Sequence, residues 1–61
     1  MKGMVDVCVG LMTLEVVASE IQYYMYQKEP SRIVVDIRRR KDGYHATIWI
    51  PAKDFVRHKR R

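Results

Sequence analysis

The chain is predicted to be a small α+β domain of β-α-β-β order, with one helix packed on an antiparallel hairpin and a further strand before it. Three patterns carry that prediction. Apolar residues recur at three- and four-residue spacing between Leu14 and Met25, the period of a helix face. Two alternating segments within 33–50 meet at Asp42-Gly43, a dipeptide suited to a tight hairpin turn. Val5, Val7 and Val9 alternate with Met4, Asp6 and Cys8 between Gly3 and Gly10, as β-branched residues do in a half-buried strand.

The first segment, 4–9, has a rival reading. Extending the next helix back to Asp6 would bury valines on every side and place Gly10 mid-helix at about 1 kcal/mol relative to alanine. The strand is therefore preferred. The helix is expected over 13–28: Thr13 can cap it, Glu15 in its first turn and Lys28 in its last both suit the helix dipole, and Pro30 forbids continuation. Leu14, Val17, Ala18, Ile21, Tyr24 and Met25 form the expected core stripe. Val16, Tyr23 and Tyr26 lie beside it, where they can widen the core, stack on bases or serve as an oligomer contact.

In the hairpin, a two-residue Asp42-Gly43 loop pairs Lys41 with Tyr44, Arg39 with Ala46, Ile37 with Ile48 and Val35 with Ile50. One face is then Ile33, Val35, Ile37, Ala46, Ile48 and Ile50. The other carries Val34, Asp36, Arg38, Arg40, His45, Thr47 and Trp49. Shifting the pairing by one residue would mix charge into the apolar face, so this register is preferred. Pro51 lacks a ladder donor and should end the second strand. A short helix over 52–57 can follow, anchored by Phe55 and Val56 and starting near Asp54, and 57–61 reads as a flexible basic tail.

With 61 residues, the chain is expected to form a single domain over 1–61, burying only about 60% of its unfolded surface. Chains of this size usually need a staple. Cys8 is the only cysteine, which excludes an internal disulfide and suits a reducing compartment. His45 and His58 lack the spacing of a ligand set, so neither metal nor cofactor is expected. Self-association remains, and a homodimer is expected. The apolar run 4–18 is interrupted by Asp6 and Glu15 and is shorter than the roughly 20 residues of a membrane span. No signal peptide is expected, and the chain reads as cytoplasmic.

The net charge of +5 is uneven. Residues 1–30 set two cations against four acids, a balance of −2, whereas 31–61 set ten against three, a balance of +7. That asymmetry favours a polyanionic partner. The expected function is a small basic nucleic-acid-binding protein, contacting the phosphate backbone of DNA or RNA with little sequence specificity. Its candidate residues are Arg38, Arg40, Lys41 and His45 in the hairpin, Trp49 beside them, and Arg57, Lys59, Arg60 and Arg61 in the tail. Six such cations on duplex phosphates would give a log–log salt slope of about −5.

Each candidate has a blander use. A basic run can be a solvated tip, and Trp49, read as an exposed indole diagonal to Arg38, can stack on a base, lie under an arginine or enter a dimer interface. His45, placed opposite Arg40, can be a plain surface histidine. Two alternatives follow: a regulator or inhibitor docking on an acidic protein surface, and a structural homodimer. Catalysis is not expected. Cys8 reads as a small buried hydrophobe with no histidine or carboxylate partner, and Asp36, Asp42 and Asp54 read as a strand charge, a turn residue and a helix start. No ribonucleoprotein aromatic signature, GXXG loop or zinc knuckle is present.

Overall fold

The computed structural model describes residues 2–56. In order, the elements are β1 (Met4–Met12), α1 (Leu14–Lys28), β2 (Val34–Arg40), β3 (Gly43–Pro51) and α2 (Ala52–Phe55). This is the expected α+β architecture. The sheet order is β1-β3-β2, both neighbours running antiparallel to β3, so β3 is central and β1 and β2 are its parallel edges.

The core follows from that centrality. Ala46, Ile48 and Ile50 alternate along β3 toward α1 and are fully buried, joined by Val17 from the helix. Burying the two isoleucines contributes about 3–6 kcal/mol, a large share for so small a chain.

β1 runs three residues beyond its expected end at Val9, because Gly10 lies within the strand. Val7 forms a bulge between Asp6, opposite Trp49, and Cys8, opposite Ile48. A bulge reverses the alternation. Val5, Cys8, Gly10 and Met12 therefore share the helix side with Ile50, Ile48, Ala46 and Tyr44, whereas Val9 and Leu11 join Asp6 on the other face.

The helix begins as expected, with Thr13 extended and its Oγ1 accepting from the Val16 N–H at 3.2 Å. It ends at Glu29, which takes a left-handed conformation at φ 45° ahead of Pro30. Its buried stripe keeps Val17, Ile21 and Tyr24 of the expected one and loses the rest. Val17 is buried, with Glu20, Ile21, Tyr24 and Lys28 half-buried, while Leu14, Ala18 and Met25 are exposed. At about 100° per residue those three lie roughly 60–100° around from Val17. The helix is rolled toward β1, where the Tyr24 hydroxyl donates to the Val7 carbonyl at 2.9 Å.

The hairpin keeps the expected faces but slides by two residues. Arg40 pairs with Gly43, Arg38 with His45, Ile37 with Ala46 and Val35 with Ile48, so Lys41 and Asp42 form the loop. Glu29 is the one non-glycine with positive φ among the described residues, so the Lys41-Asp42 turn is not the type I′ turn, with positive φ at both central residues, expected at Asp42-Gly43. Gly43 instead opens β3 at φ 146°, where a Cβ would stand 3.2 Å from the Met12 carbonyl oxygen.

At the far end, α2 spans four residues rather than reaching 57. The Ala52 N–H donates to the Gly3 carbonyl at 2.9 Å, and the Lys28 ammonium lies 5.3 Å from the Phe55 ring centroid. Asp54 is 3% exposed, and its Oδ2 accepts from both the N–H and the hydroxyl of Ser31 at 3.0 Å. More than a helix start, this carboxylate clips the chain after α1 to α2.

Candidate nucleic-acid interface

Helix α1 rests on β1 and β3 from one side. The opposite face of the sheet carries the candidate hairpin residues in three cross-strand rows. Register places Leu11, His45 and Arg38 in the row nearest the hairpin tip, Val9, Thr47 and Asp36 in the middle, and Asp6, Trp49 and Val34 farthest away. Arg40 follows beyond the first row and Lys41 lies in the turn.

This arrangement gathers Arg38, Arg40, Lys41 and His45 at one end and separates Trp49 from them. Two slid positions explain the change: His45 stands across from Arg38 rather than Arg40, and Trp49 stands across from Val34 and diagonal to Asp36 rather than Arg38. The His45 and Trp49 rows are four residue steps apart along β3, about 13 Å. Trp49 is also half-buried rather than fully exposed, with Asp6 directly across on β1.

The charge gradient along the face is therefore steep. Cations occupy the tip, while Asp36 and Asp6 occupy the two rows behind it. The Arg38 Nε lies 3.3 Å from Asp36 Oδ2, but both side chains are largely solvated, so the pair is worth about 0–1 kcal/mol and does not fix the guanidinium firmly. The pleat sends Arg39 to the helix side of β2 between Arg38 and Arg40, so the tip presents cations in several directions. All four of Arg38, Arg39, Arg40 and Lys41 are exposed. Arg57, Lys59, Arg60 and Arg61, the expected tail contacts, lie outside the described residues, as does His58.

Val9 and Leu11 also belong to this face, and sequence reasoning missed them. Their alternation with Cys8, Gly10 and Met12 was the available signal, hidden by the change of phase at Val7. The patch of Val16, Tyr23 and Tyr26 lies on the helix, away from this face. All three are exposed, and the Tyr23 ring meets Tyr24 edge-on with centroids 5.1 Å apart.

Cys8 does have a carboxylate neighbour. Its thiol is pushed up from its ordinary value by burial, and further by the charge of Glu20 and a hydrogen bond to it. The Tyr24 hydroxyl is likewise raised, first by burial and then by Glu20. A thiol held protonated is a poor nucleophile. Among the described residues no three His, Cys, Asp or Glu side chains converge as metal ligands, and no helix is long and apolar enough to cross a membrane. No family model, curated protein or solved structure matches the chain.

Proposed function

We propose that this protein binds DNA or RNA through the tip of its β2–β3 hairpin. The observation that carries the reading is the run Arg38, Arg39, Arg40 and Lys41, exposed at the end of an edge strand and in the turn beyond it. Mutual repulsion among four adjacent cations is relieved when phosphates take the place of counterions. Arg38 and Arg40 serve phosphates approaching the open face, Lys41 those at the turn, and His45 lies in the same row as Arg38. The residues 57–61 add four cations to the total by sequence.

Such contacts position a nucleic acid without reading it, because phosphates carry no base identity. Trp49 is the group in this set able to stack on a base, from about 13 Å along the sheet. The same chain acts as a homodimer in this reading, since a 61-residue chain whose single cysteine forms no internal disulfide gains stability from a second copy.

Fluorescence anisotropy with labelled single-stranded RNA, single-stranded DNA and duplex DNA tests the function. Binding at low ionic strength to oligonucleotides of unrelated sequence, with little difference between sequences, is the expected result. Absence of binding at low salt would refute the proposal. Tighter binding to an acidic polypeptide than to any of the nucleic acids would favour an acidic protein partner instead.

A further inference from the structure

The two edges of the sheet differ sharply in chemistry. Edge β2 carries Arg38, Arg39 and Arg40, and charged residues on an edge discourage strand addition. Edge β1 has Asp6 as its one charge over nine residues. On the open face of β1, Val9 is 57% and Leu11 51% exposed. On the helix side, the contacts of Tyr24 with Val7 and of Glu20 with Cys8 set one flank of α1 over β1. Val16 and Tyr23 lie farther around that flank, roughly 100–120° from Val17, which places them toward the outer side of the edge. They are 43% and 55% exposed.

We propose that residues 8–12 of β1 pair antiparallel with the same segment of a second copy, about a two-fold axis at Gly10, to form a continuous six-stranded sheet. This surface rests on the homodimer part of the functional reading and is independent of nucleic-acid binding. The bulge at Val7, whose carbonyl is occupied by Tyr24, ends the regular edge on one side and leaves 8–12 as the pairing segment. Gly10 opposes Gly10, Val9 of one copy opposes Leu11 of the other, and Cys8 opposes Met12. Open face then meets open face and helix side meets helix side, as a two-fold axis normal to the sheet demands. The exposed Val9 and Leu11 become a four-residue apolar cluster, and Gly10 places no side chain at the axis.

Charge favours β1 over β2 as the seam, and the match of 8–12 to itself, apolar Val9 against Leu11 about Gly10, favours the second copy as occupant. Residues 1–30 carry the balance of −2, and the four tip cations lie on the hairpin, so copies meeting through β1 approach by their least positive sides. Asp6 lies outside the paired segment in both copies, so no like charges oppose across it. The cationic β2 edges become the outermost strands, five strand spacings or about 24 Å apart. An alternative pairing through β2 would set arginines against arginines.

Sedimentation equilibrium on the full chain tests the seam. The wild type is expected to be a dimer, Val9→Lys and Tyr23→Glu to be monomers with unchanged circular dichroism, and Ile37→Lys on the opposite edge to remain a dimer. Both dimer-breaking positions are exposed in the single chain, so folding should tolerate them. As a measurement free of any variant, outward-facing amides of 8–12 should exchange more slowly as wild-type concentration rises. A wild-type monomer at every concentration would overturn the homodimer reading and the seam together. A dimer that survives both Val9→Lys and Tyr23→Glu, or exchange at 8–12 that ignores concentration, would overturn the seam alone.

Discussion

Removing the carboxylate of Asp54 tests the one buried charge among the described residues. Asp54 is 3% exposed and accepts two bonds of 3.0 Å from Ser31, a residue 23 positions earlier in the chain. Hydrogen bonds to a charged partner contribute about 1.5–3 kcal/mol each when buried. Ser31 itself is exposed, so water can partly replace the carboxylate, and the lower end of the range applies. Asp54→Ala should therefore cost about 2–3 kcal/mol, against a total of roughly 3–9 kcal/mol for a chain of this length. Ser31→Ala removes the hydroxyl donor but keeps the backbone donor, and should cost about 1 kcal/mol. Urea unfolding followed by circular dichroism measures both, with little change in m expected. If Asp54→Ala unfolds within about 0.5 kcal/mol of wild type, the clip contributes nothing to global stability and the reasoning fails.

Three further outcomes follow from the same geometry. Gly43→Ala must hold a side chain at φ 146° with its Cβ 3.2 Å from a backbone oxygen, so it should lose about 1–2 kcal/mol in the same urea assay. Because folding raises both the Cys8 thiol and the Tyr24 hydroxyl above their ordinary values near 9.0 and 10.0, the unfolded chain ionises first. Stability should hold below about pH 9 and decline as pH rises past it, with the first part of the decline removed in Cys8→Ala; a flat profile from pH 8 to 10 in wild type would contradict this. Glu20→Gln should speed thiol modification of Cys8 near pH 8, measured with a maleimide, since it removes a charge that holds the thiol protonated.

The fold class was legible in the sequence because each main element announced itself in more than one way. Thr13, Lys28 and Pro30 bounded α1, and the parity of Ile48 and Ile50 against Thr47 and Trp49 assigned the two faces of β3. Parity survives a slide of two residues, so the faces stood while the register moved. The register depended on which dipeptide makes the turn. Lys41-Asp42 makes it, and Gly43 serves as the first residue of β3, where the lack of a Cβ tolerates both its positive φ and the close approach of Met12. That single difference moved Trp49 away from the arginines and beside two acids.

Other misreadings share a cause: local pattern does not reveal what a tertiary neighbour will cover. The bulge at Val7 inverted the later half of β1 and carried Val9 and Leu11 to the open face. The roll of α1 toward β1 exposed Leu14, Ala18 and Met25 and brought Glu20 to Cys8, which the helical stripe alone did not distinguish. Asp54 does lie in the first turn of α2, as its position predicts, but its partner Ser31 lies on a distant loop that no local period can connect to it.

Phosphate binding at the hairpin tip is tested most directly by the salt dependence of duplex DNA binding, compared between wild type and the Arg40→Gln, Lys41→Gln double variant. Each cation that neutralises a phosphate adds about −0.9 to the slope of log K against log salt concentration. The double variant should therefore bind more weakly, with a slope shallower by about 1.8. An unchanged slope and affinity would show that the tip does not hold the phosphates, and would contradict the proposed function.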